Sequence, residues 1–179
     1  MKRIAIMLAL LGMSIFCNAQ DVVKESTHEI DLTKDAMFAR VKMFITDSWV
    51  NPKNSTLNED KENGVIQIKT DSEIAIKVGM GLQCVYEYEY RTRIRMKDGK
   101  YKIEFYGVIC TDAAQVGMGD SLDVPKIPYF EGNEPPVKTT KMGRGVPEKK
   151  AYEIMDALRE EWSLIETKLA DYLTADDDF

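Results

Sequence analysis

The chain has 179 residues, of which 44% are apolar and 30% charged, and Asp and Glu outnumber Lys and Arg by 30 to 24. This composition is that of one globular domain of ordinary size and excludes a disordered chain. The net charge of −6 excludes the overall basic excess typical of nucleic-acid-binding proteins, so we expect no nucleic acid as a partner.

The first twenty residues have the parts of a secretory signal peptide. Lys2 and Arg3 are basic, residues 4–16 are mainly apolar, and Ala19 is a small residue suited to cleavage. The apolar run is about 20 Å long as a helix, which is too short for a bilayer core of about 30 Å.

We therefore expect residues 1–19 to be removed and residues 20–179 to form a single domain without a transmembrane segment. The mature chain is predicted to be periplasmic or secreted. Lipidation of Cys17 is the alternative, but Phe16 is large where lipoprotein processing requires a small residue.

Hydropathy patterns predict the first elements in chain order. Residues 27–32 begin a strand, and residues 33–49 predict an amphipathic helix because apolar side chains recur there at spacings of three and four. The polar residues 53–63 predict a loop. Two strands follow at residues 65–71 and 73–78.

The strongest local pattern is a β-hairpin around Asp98-Gly99. Two runs of alternating residues, 85–97 and 100–110, flank this dipeptide, which favours a two-residue turn. In that register Lys97 faces Lys100.

Further along the hairpin, the same register makes Thr92 face Phe105 and Tyr88 face Ile109 on a mostly apolar face. Residues 102, 104, 106, 108 and 110 then belong to the opposite, polar face.

This register also separates the two cysteines of the mature chain. Cys84 lies on the apolar face, whereas Cys110 lies opposite Glu87 on the polar face. We therefore expect no disulfide between them, unless a bulge near Gly81 or Gly107 changes the register.

The last third of the chain divides into two parts. Residues 111–147 are rich in proline and glycine and predict a long irregular connection. Residues 147–173 predict a C-terminal helix. Its apolar stripe comprises Ala151, Met155, Leu158, Trp162, Ile165, Leu169 and Tyr172. We expect the stripe to pack on the chain's own sheet, so the protein is a monomer or a weak homodimer through this helix.

The order strand, helix, four strands and long helix resembles one half of the TATA-binding-protein fold. The chain from about His28 to Asp112 is also similar to a family of small secreted bacterial proteins of unknown function that is assigned this fold. Residues 31–49, residues 59–66 and the hairpin carry the similarity.

The resemblance implies an α+β fold with a curved antiparallel sheet of about five strands and two helices packed on one face, in the order β-α-β-β-β-β-α. It implies no activity, cofactor or site.

Catalysis and metal binding have little support in the sequence. His28 is the only histidine, no nucleophile motif accompanies it, and His28, Cys84 and Cys110 lack the paired spacing of zinc ligands. We assign no catalytic residue, metal ligand or cofactor. The least favoured hypothesis is a hydrolase that uses Glu87 and Glu89, because alternate residues of a strand lie roughly 7 Å apart.

The polar face of the hairpin contains the candidate binding residues. They are Arg91, Arg93, Arg95, Lys97, Lys100, Lys102 and Tyr106. Glu104 faces Arg93 and partly offsets the positive charge. An anionic glycan, a lipid head group or an acidic protein is the expected partner of such a patch. The alternative is a solvated face whose charges prevent aggregation.

We therefore predict an exported, non-enzymatic interaction or binding module of the cell envelope, with the hairpin face and the Pro/Gly segment as contact surfaces. The alternative is a carrier of a small apolar ligand held between the long helix and the sheet, as in helix-grip folds.

Overall fold

The computed structural model describes residues 22–49, 55–79, 82–117, 120–123 and 148–175. Over these ranges the chain forms a six-stranded antiparallel sheet and two helices. The strands are β1 (Val22–Glu29), β2 (Thr56–Asp60), β3 (Val65–Gly79), β4 (Leu82–Lys97), β5 (Lys100–Gly117) and β6 (Asp120–Asp123), and the helices are α1 (Lys34–Ser48) and α2 (Glu148–Thr174). The predicted α+β class, with both helices on one face of the sheet, is confirmed.

The sheet order is β1-β5-β4-β3-β2, and β6 also pairs with β5. β1 pairs with residues 100–106 of β5, and β6 pairs with residues 114–117. Because β4 occupies the other edge of β5, β1 and β6 share one edge of that strand.

Two strand boundaries differ from the sequence-based expectation. The two strands predicted at residues 65–71 and 73–78 are one continuous strand, in which Ser72 faces Tyr88. The loop predicted at residues 53–63 contains β2, which lies at the edge of the sheet. Its residues pair through backbone groups, so an edge strand of polar residues needs no apolar alternation.

The prediction of an irregular connection at residues 111–147 is wrong for the first part of that segment. Residues 111–117 continue β5, and Asp120–Asp123 form β6. The described residues resume at 148, so most of the predicted connection lies outside them, as does the predicted signal peptide at residues 1–19.

Helix α1 begins where the sequence predicts. The Thr33 side chain accepts a hydrogen bond from the backbone nitrogen of Ala36 at 3.3 Å, which satisfies one of the open donors of the first turn. The buried side of the helix consists of Met37, Phe38, Val41, Phe44 and Ile45. This confirms the predicted amphipathic pattern.

Helix α2 packs on the chain's own sheet, as predicted. Its stripe residues are buried or half-buried, and they join the same core as α1. At the centre, the Trp162 ring stacks on Phe105 with ring centroids 5.3 Å apart, and Tyr90 meets Trp162 edge-on at 5.8 Å. These three rings fill the space between α2 and the middle of the sheet.

The hairpin register agrees with the prediction near the turn. Lys97 faces Lys100, and the pairing predicted between Arg93 and Glu104 is confirmed. Beyond these rungs the pairing shifts twice, and the first shift arises because β5 contains an extra residue next to Gly107. Gly107 has a φ of 63°, a left-handed conformation that glycine adopts at low cost.

The extra residue reverses the faces of the following part of β5. Tyr88 faces Cys110 instead of Ile109, and Ile109 is 49% exposed. Val108 and Cys110 are buried in the core. The predictions that Cys110 lies opposite Glu87 and that Ile109 points into the core are therefore wrong, since one added residue moves the side chains that follow it to the other face. A second register shift between Cys110 and Asp112 reverses the faces again, and Ala113 is buried.

Cys84 and Cys110 form no disulfide, as expected, but for a different reason. Both thiols are on the core face. Cys110 pairs with Tyr88, which is four residues from Cys84 along β4. That separation is about 13 Å at ~3.3 Å per residue, whereas a disulfide requires Cα atoms within about 7 Å.

Candidate functional site

The seven predicted binding residues lie on one face of the β4–β5 hairpin. Thr92, Ile94 and Met96 of β4 are buried beneath the helices, and alternation turns Arg93 and Arg95 to the opposite side. In the described part of the chain no helix covers this side, which we call the open face.

Glu104 is the centre of the charge arrangement on the open face. Its side chain is only 5% exposed and contacts three cations. Its Oε2 lies 3.5 Å from Arg93 Nη1 and 3.2 Å from Arg95 Nε, and its Oε1 lies 3.2 Å from Lys102 Nζ. Burying a carboxylate is costly unless it is paired, and these cations supply the compensation.

Tyr106 supports one of these cations. The Arg93 guanidinium lies over the Tyr106 ring, 4.6 Å from its centroid, and the tyrosine is 2% exposed. A cation over an aromatic face is attracted by the ring's quadrupole. Tyr106 and Glu104 therefore hold the Arg93 side chain from two sides.

The outermost cations of the hairpin are less compensated. Lys97 faces Lys100, and on the next rung Arg95 faces Lys102. Like charges directly across a strand pair repel each other. Glu104 compensates the positive charge of the rung formed by Arg95 and Lys102.

Acidic residues of the neighbouring strand β1 form an ion pair with one of the two rungs but not with the other. Glu25 lies 2.7 Å from Lys102 Nζ, and this contact, together with Glu104, raises the pKa of Lys102 above its ordinary value. Glu29 faces Lys100 in the register. Within the ranges that the structure describes, however, neither Lys97 nor Lys100 makes an ion pair.

A depression of about 280 Å³ adjoins these two rungs. We call it the basin, and its lining comprises Thr27, Arg95, Lys97, Lys100, Tyr101 and Lys102. Four of these six side chains are cations, so the basin has the chemistry of an anion-binding site.

The other end of the open face is acidic. Glu87 is exposed and faces Glu73 on one side and Asp112 on the other. Glu89 forms an ion pair with Lys69, with 2.7 Å between Lys69 Nζ and Glu89 Oε2. The two carboxylates of the hydrolase hypothesis are therefore in different environments, since Glu87 faces two acidic residues and Glu89 pairs with a lysine.

Sequence reasoning missed a partly buried polar cluster beneath α2. Glu161 accepts hydrogen bonds from the hydroxyls of Ser72 and Tyr90, the latter at 2.7 Å. Burial and the Glu161 carboxylate raise the pKa of Tyr90, so its hydroxyl stays a donor. These bonds dock the helix on β3 and β4. Their partners are 71 and 89 residues apart, so no local pattern signals them.

A second cluster joins α2 to the edge strand β1. Glu166 accepts hydrogen bonds from Lys24 Nζ at 2.9 Å and from Ser26 Oγ at 2.8 Å. His28, on the edge strand as predicted, lies 3.0 Å from Ser26 Oγ through its Nε2 atom and stacks on Tyr101 with ring centroids 4.9 Å apart. His28 therefore contributes to the contact between β1 and its neighbours through Ser26 and Tyr101.

Neither a metal centre nor a membrane-spanning helix is found in the described ranges. These residues contain no group of three or more His, Cys, Asp or Glu side chains arranged to hold a metal ion. None of the helices they form is long and apolar enough to cross a membrane.

Two solved crystal structures are similar to this one. A DUF4468 family protein from Bacteroides ovatus has a TM-score of 0.54 at 12% sequence identity, with 90% of this chain and 91% of that chain covered. A TBP-like protein from Parabacteroides distasonis has a TM-score of 0.53 at 14% identity, with 83% and 92% covered. At such identities the likeness shows the fold alone. No curated protein matches the sequence.

A family model described as a domain of unknown function (DUF4468) with TBP-like fold matches residues 23–109. The match extends from β1 to Ile109 of β5, so it includes α1 and all seven predicted binding residues. The resemblance inferred from the order of elements is thereby confirmed. Over residues 23–109 the chain matches the model of the DUF4468 family, and its fold is TBP-like.

Proposed function

We propose that this protein is an exported, non-enzymatic binding module of the cell envelope whose open face binds an anionic partner. The observation that carries the proposal is the pair of adjacent like-charged rungs, Lys97 with Lys100 and Arg95 with Lys102. Glu104 and Glu25 compensate the rung of Arg95 and Lys102, whereas Lys97 and Lys100 form no ion pair among the described residues, and an anion bound between these two lysines reduces their repulsion.

The charge of the whole chain supports this interpretation. The protein is acidic, and removal of Lys2 and Arg3 with the predicted signal peptide makes the mature chain more acidic still. Solubility alone therefore requires no concentrated positive patch. The signal-peptide features of residues 1–19 support export, and the cell envelope is the corresponding location.

The packing favours surface binding over the two alternatives. A carrier of an apolar ligand needs a cavity between α2 and the sheet, and Trp162 with Phe105 fills that centre. A hydrolase needs a cooperating pair of carboxylates, and Lys69 already binds Glu89. The open face instead offers charge at the surface.

Retention on immobilised heparin, a sulfated glycan, tests the proposal. The experiment compares the mature chain with a Lys97→Glu/Lys100→Glu variant and with a Lys149→Glu/Lys168→Glu control. The control makes the same change in net charge on α2, away from the open face. We expect the unmodified chain and the control to be retained at low salt and the hairpin variant to pass through. Equal retention of all three, or retention of none, would contradict the proposal.

Native mass spectrometry of the protein isolated from an exporting cell tests the processing and the carrier alternative. We expect a chain that begins at Gln20 and holds no apolar molecule. Excess mass that is lost on denaturation would favour a carrier instead.

A further inference from the structure

We infer that the basin at the end of the hairpin binds the phosphate group of a soluble phosphomonoester. This inference rests on the proposed function, because it names the ligand class for one part of the open face. It starts from the four cations that line the basin, Arg95, Lys97, Lys100 and Lys102.

The positions of these cations in the two strands suit a single tetrahedral anion, although Arg95 and Lys102 also contact Glu104. Facing side chains of a strand pair begin about 5 Å apart, and successive rungs on one face are about 7 Å apart. Four long side chains that start from such a rectangle can direct their head groups to one centre between them. Lysine ammonium and arginine guanidinium groups are the usual phosphate ligands in proteins.

The charge balance favours a dianion. Glu104 and Glu25 already compensate Arg95 and Lys102, whereas Lys97 and Lys100 have no ion pair among the described residues. Glu29 faces Lys100 across the strand pair without forming an ion pair, so both ammonium groups remain able to contact an anion, and a dianion gains more from them than a monoanion does. A phosphomonoester carries about −1.5 to −2 at neutral pH, whereas a sulfate ester of the same shape carries one charge.

Hydrogen bonds to the loop between β1 and α1 hold the hairpin turn between the two lysines. The backbone nitrogen of Gly99 donates to Leu32 at 3.0 Å, and the Gly99 carbonyl accepts from Ile30 at 3.0 Å. Asp98 Oδ1 accepts from the backbone nitrogen of Lys34 at 2.7 Å. The backbone positions of Lys97 and Lys100 are therefore fixed before a ligand binds, which lowers the entropic cost of binding.

The surroundings of the basin favour a soluble ligand over a membrane surface. Peripheral binding to a bilayer combines cations with apolar side chains that enter the lipid. The large apolar side chains that are exposed in the described part of the chain are Val22, Met43, Leu57, Ile109, Tyr152 and Leu164, and none of them lines the basin. The volume of about 280 Å³ lies just below the range of small-molecule sites, roughly 300–1,000 Å³, and limits the ligand to a small one.

Isothermal titration calorimetry of the mature chain with glucose 6-phosphate tests the inference. Glucose 6-sulfate and vesicles of phosphatidylglycerol are titrated in parallel. We expect saturable binding of one glucose 6-phosphate per chain and much weaker binding of the sulfate ester and the vesicles. In a Lys97→Gln/Lys100→Gln variant, we expect a loss of about tenfold in affinity for each lysine, the effect of one charge-assisted hydrogen bond. A Lys149→Gln/Lys168→Gln control should bind like the unmodified chain.

The outcomes separate this inference from the proposed function. No binding of glucose 6-phosphate, with heparin retention still dependent on Lys97 and Lys100, would overturn the phosphate assignment and leave the binding module standing. Absence of both glucose 6-phosphate binding and heparin retention would overturn the phosphate assignment and the proposed function together. Equal binding of the sulfate ester, or binding to the vesicles alone, would also overturn it. Thermal unfolding of each variant verifies that it is folded, since both lysines are exposed at the turn.

Discussion

Glu104 and Glu25 both contact Lys102, but their surroundings differ. Glu104 is 5% exposed and has three cationic partners, whereas the Glu25 side chain is 55% exposed and its ion pair is with Lys102. A buried charge that loses its partner is costly, while an exposed ion pair contributes little. The two residues therefore form a matched comparison on one face of the sheet.

We predict that Glu104→Gln lowers the free energy of unfolding by about 2 kcal/mol, because three partly exposed cations lose their shared partner. Glu25→Gln should lower it by less than about 1 kcal/mol. Urea unfolding of both variants measures the difference. Similar values for the two would show that Glu104 does not organise the patch.

At the scale of elements, two glycines shape the strands that carry the site. Gly64 and Gly107 both have a φ of 63°. Gly64 ends the turn before β3, where its carbonyl accepts a hydrogen bond from the Met96 nitrogen at 2.7 Å. Gly107 lies at the bulge of β5, and a side chain there would meet no atom within 4 Å. A Cβ at Gly64, in contrast, would overlap the Met96 carbonyl oxygen.

Because Gly64 and Gly107 have the same φ but different surroundings, substitutions at the two positions distinguish the cost of backbone strain from the cost of a steric clash. We predict that Gly107→Ala costs about 1 kcal/mol of stability, the penalty of a left-handed conformation alone. Gly64→Ala should cost at least about 2 kcal/mol more, because the strands must also move apart. Urea unfolding of the two variants gives the comparison. If Gly107→Ala were the more destabilising of the two, this would contradict the finding that a Cβ at Gly107 meets no other atom within 4 Å.

At the scale of the whole molecule, the core contains several buried tyrosines. Burial raises the pKa of Tyr86 from 10.0 to about 12, with smaller contributions from Cys84 and Cys110. Burial also raises the pKa of Tyr88 and of Tyr101. In the unfolded chain these hydroxyls ionise near pH 10, so above that pH the unfolded state binds fewer protons than the folded state.

We therefore predict that the free energy of unfolding is fully retained below pH 10 and falls as the pH rises towards 12, the values that bound the Tyr86 shift. Urea unfolding at a series of alkaline pH values measures the decline. A Tyr86→Phe variant should show a shallower decline, because one shifted group is removed. An equally steep decline in that variant would contradict the assignment of the shift.

How much of the candidate site was predictable depends on the distance from the turn. The Asp98-Gly99 signal is local, so the pairing of Arg93 with Glu104 and of Lys97 with Lys100 followed directly from it. The sequence named Gly107 as one possible site of a bulge but did not decide for it, because Val108, Ile109 and Cys110 are all apolar enough for either face. Whether the bulge forms depends on how β5 packs on β4 and the helices. The alternation of apolar and polar residues along β5 does not contain this information.

The sequence by itself determined the α+β class, the two helices, the hairpin and the presence of six cations on one face of that hairpin. Those features follow from periodicity and turn chemistry, which act over a few residues. Only the tertiary structure decided that Glu104 is buried among three cations and that Glu161 and Glu166 dock α2 on the sheet. Burial and ion pairing between distant residues depend on the packed chain, because a side chain's partners are set by the fold and not by its neighbours in sequence.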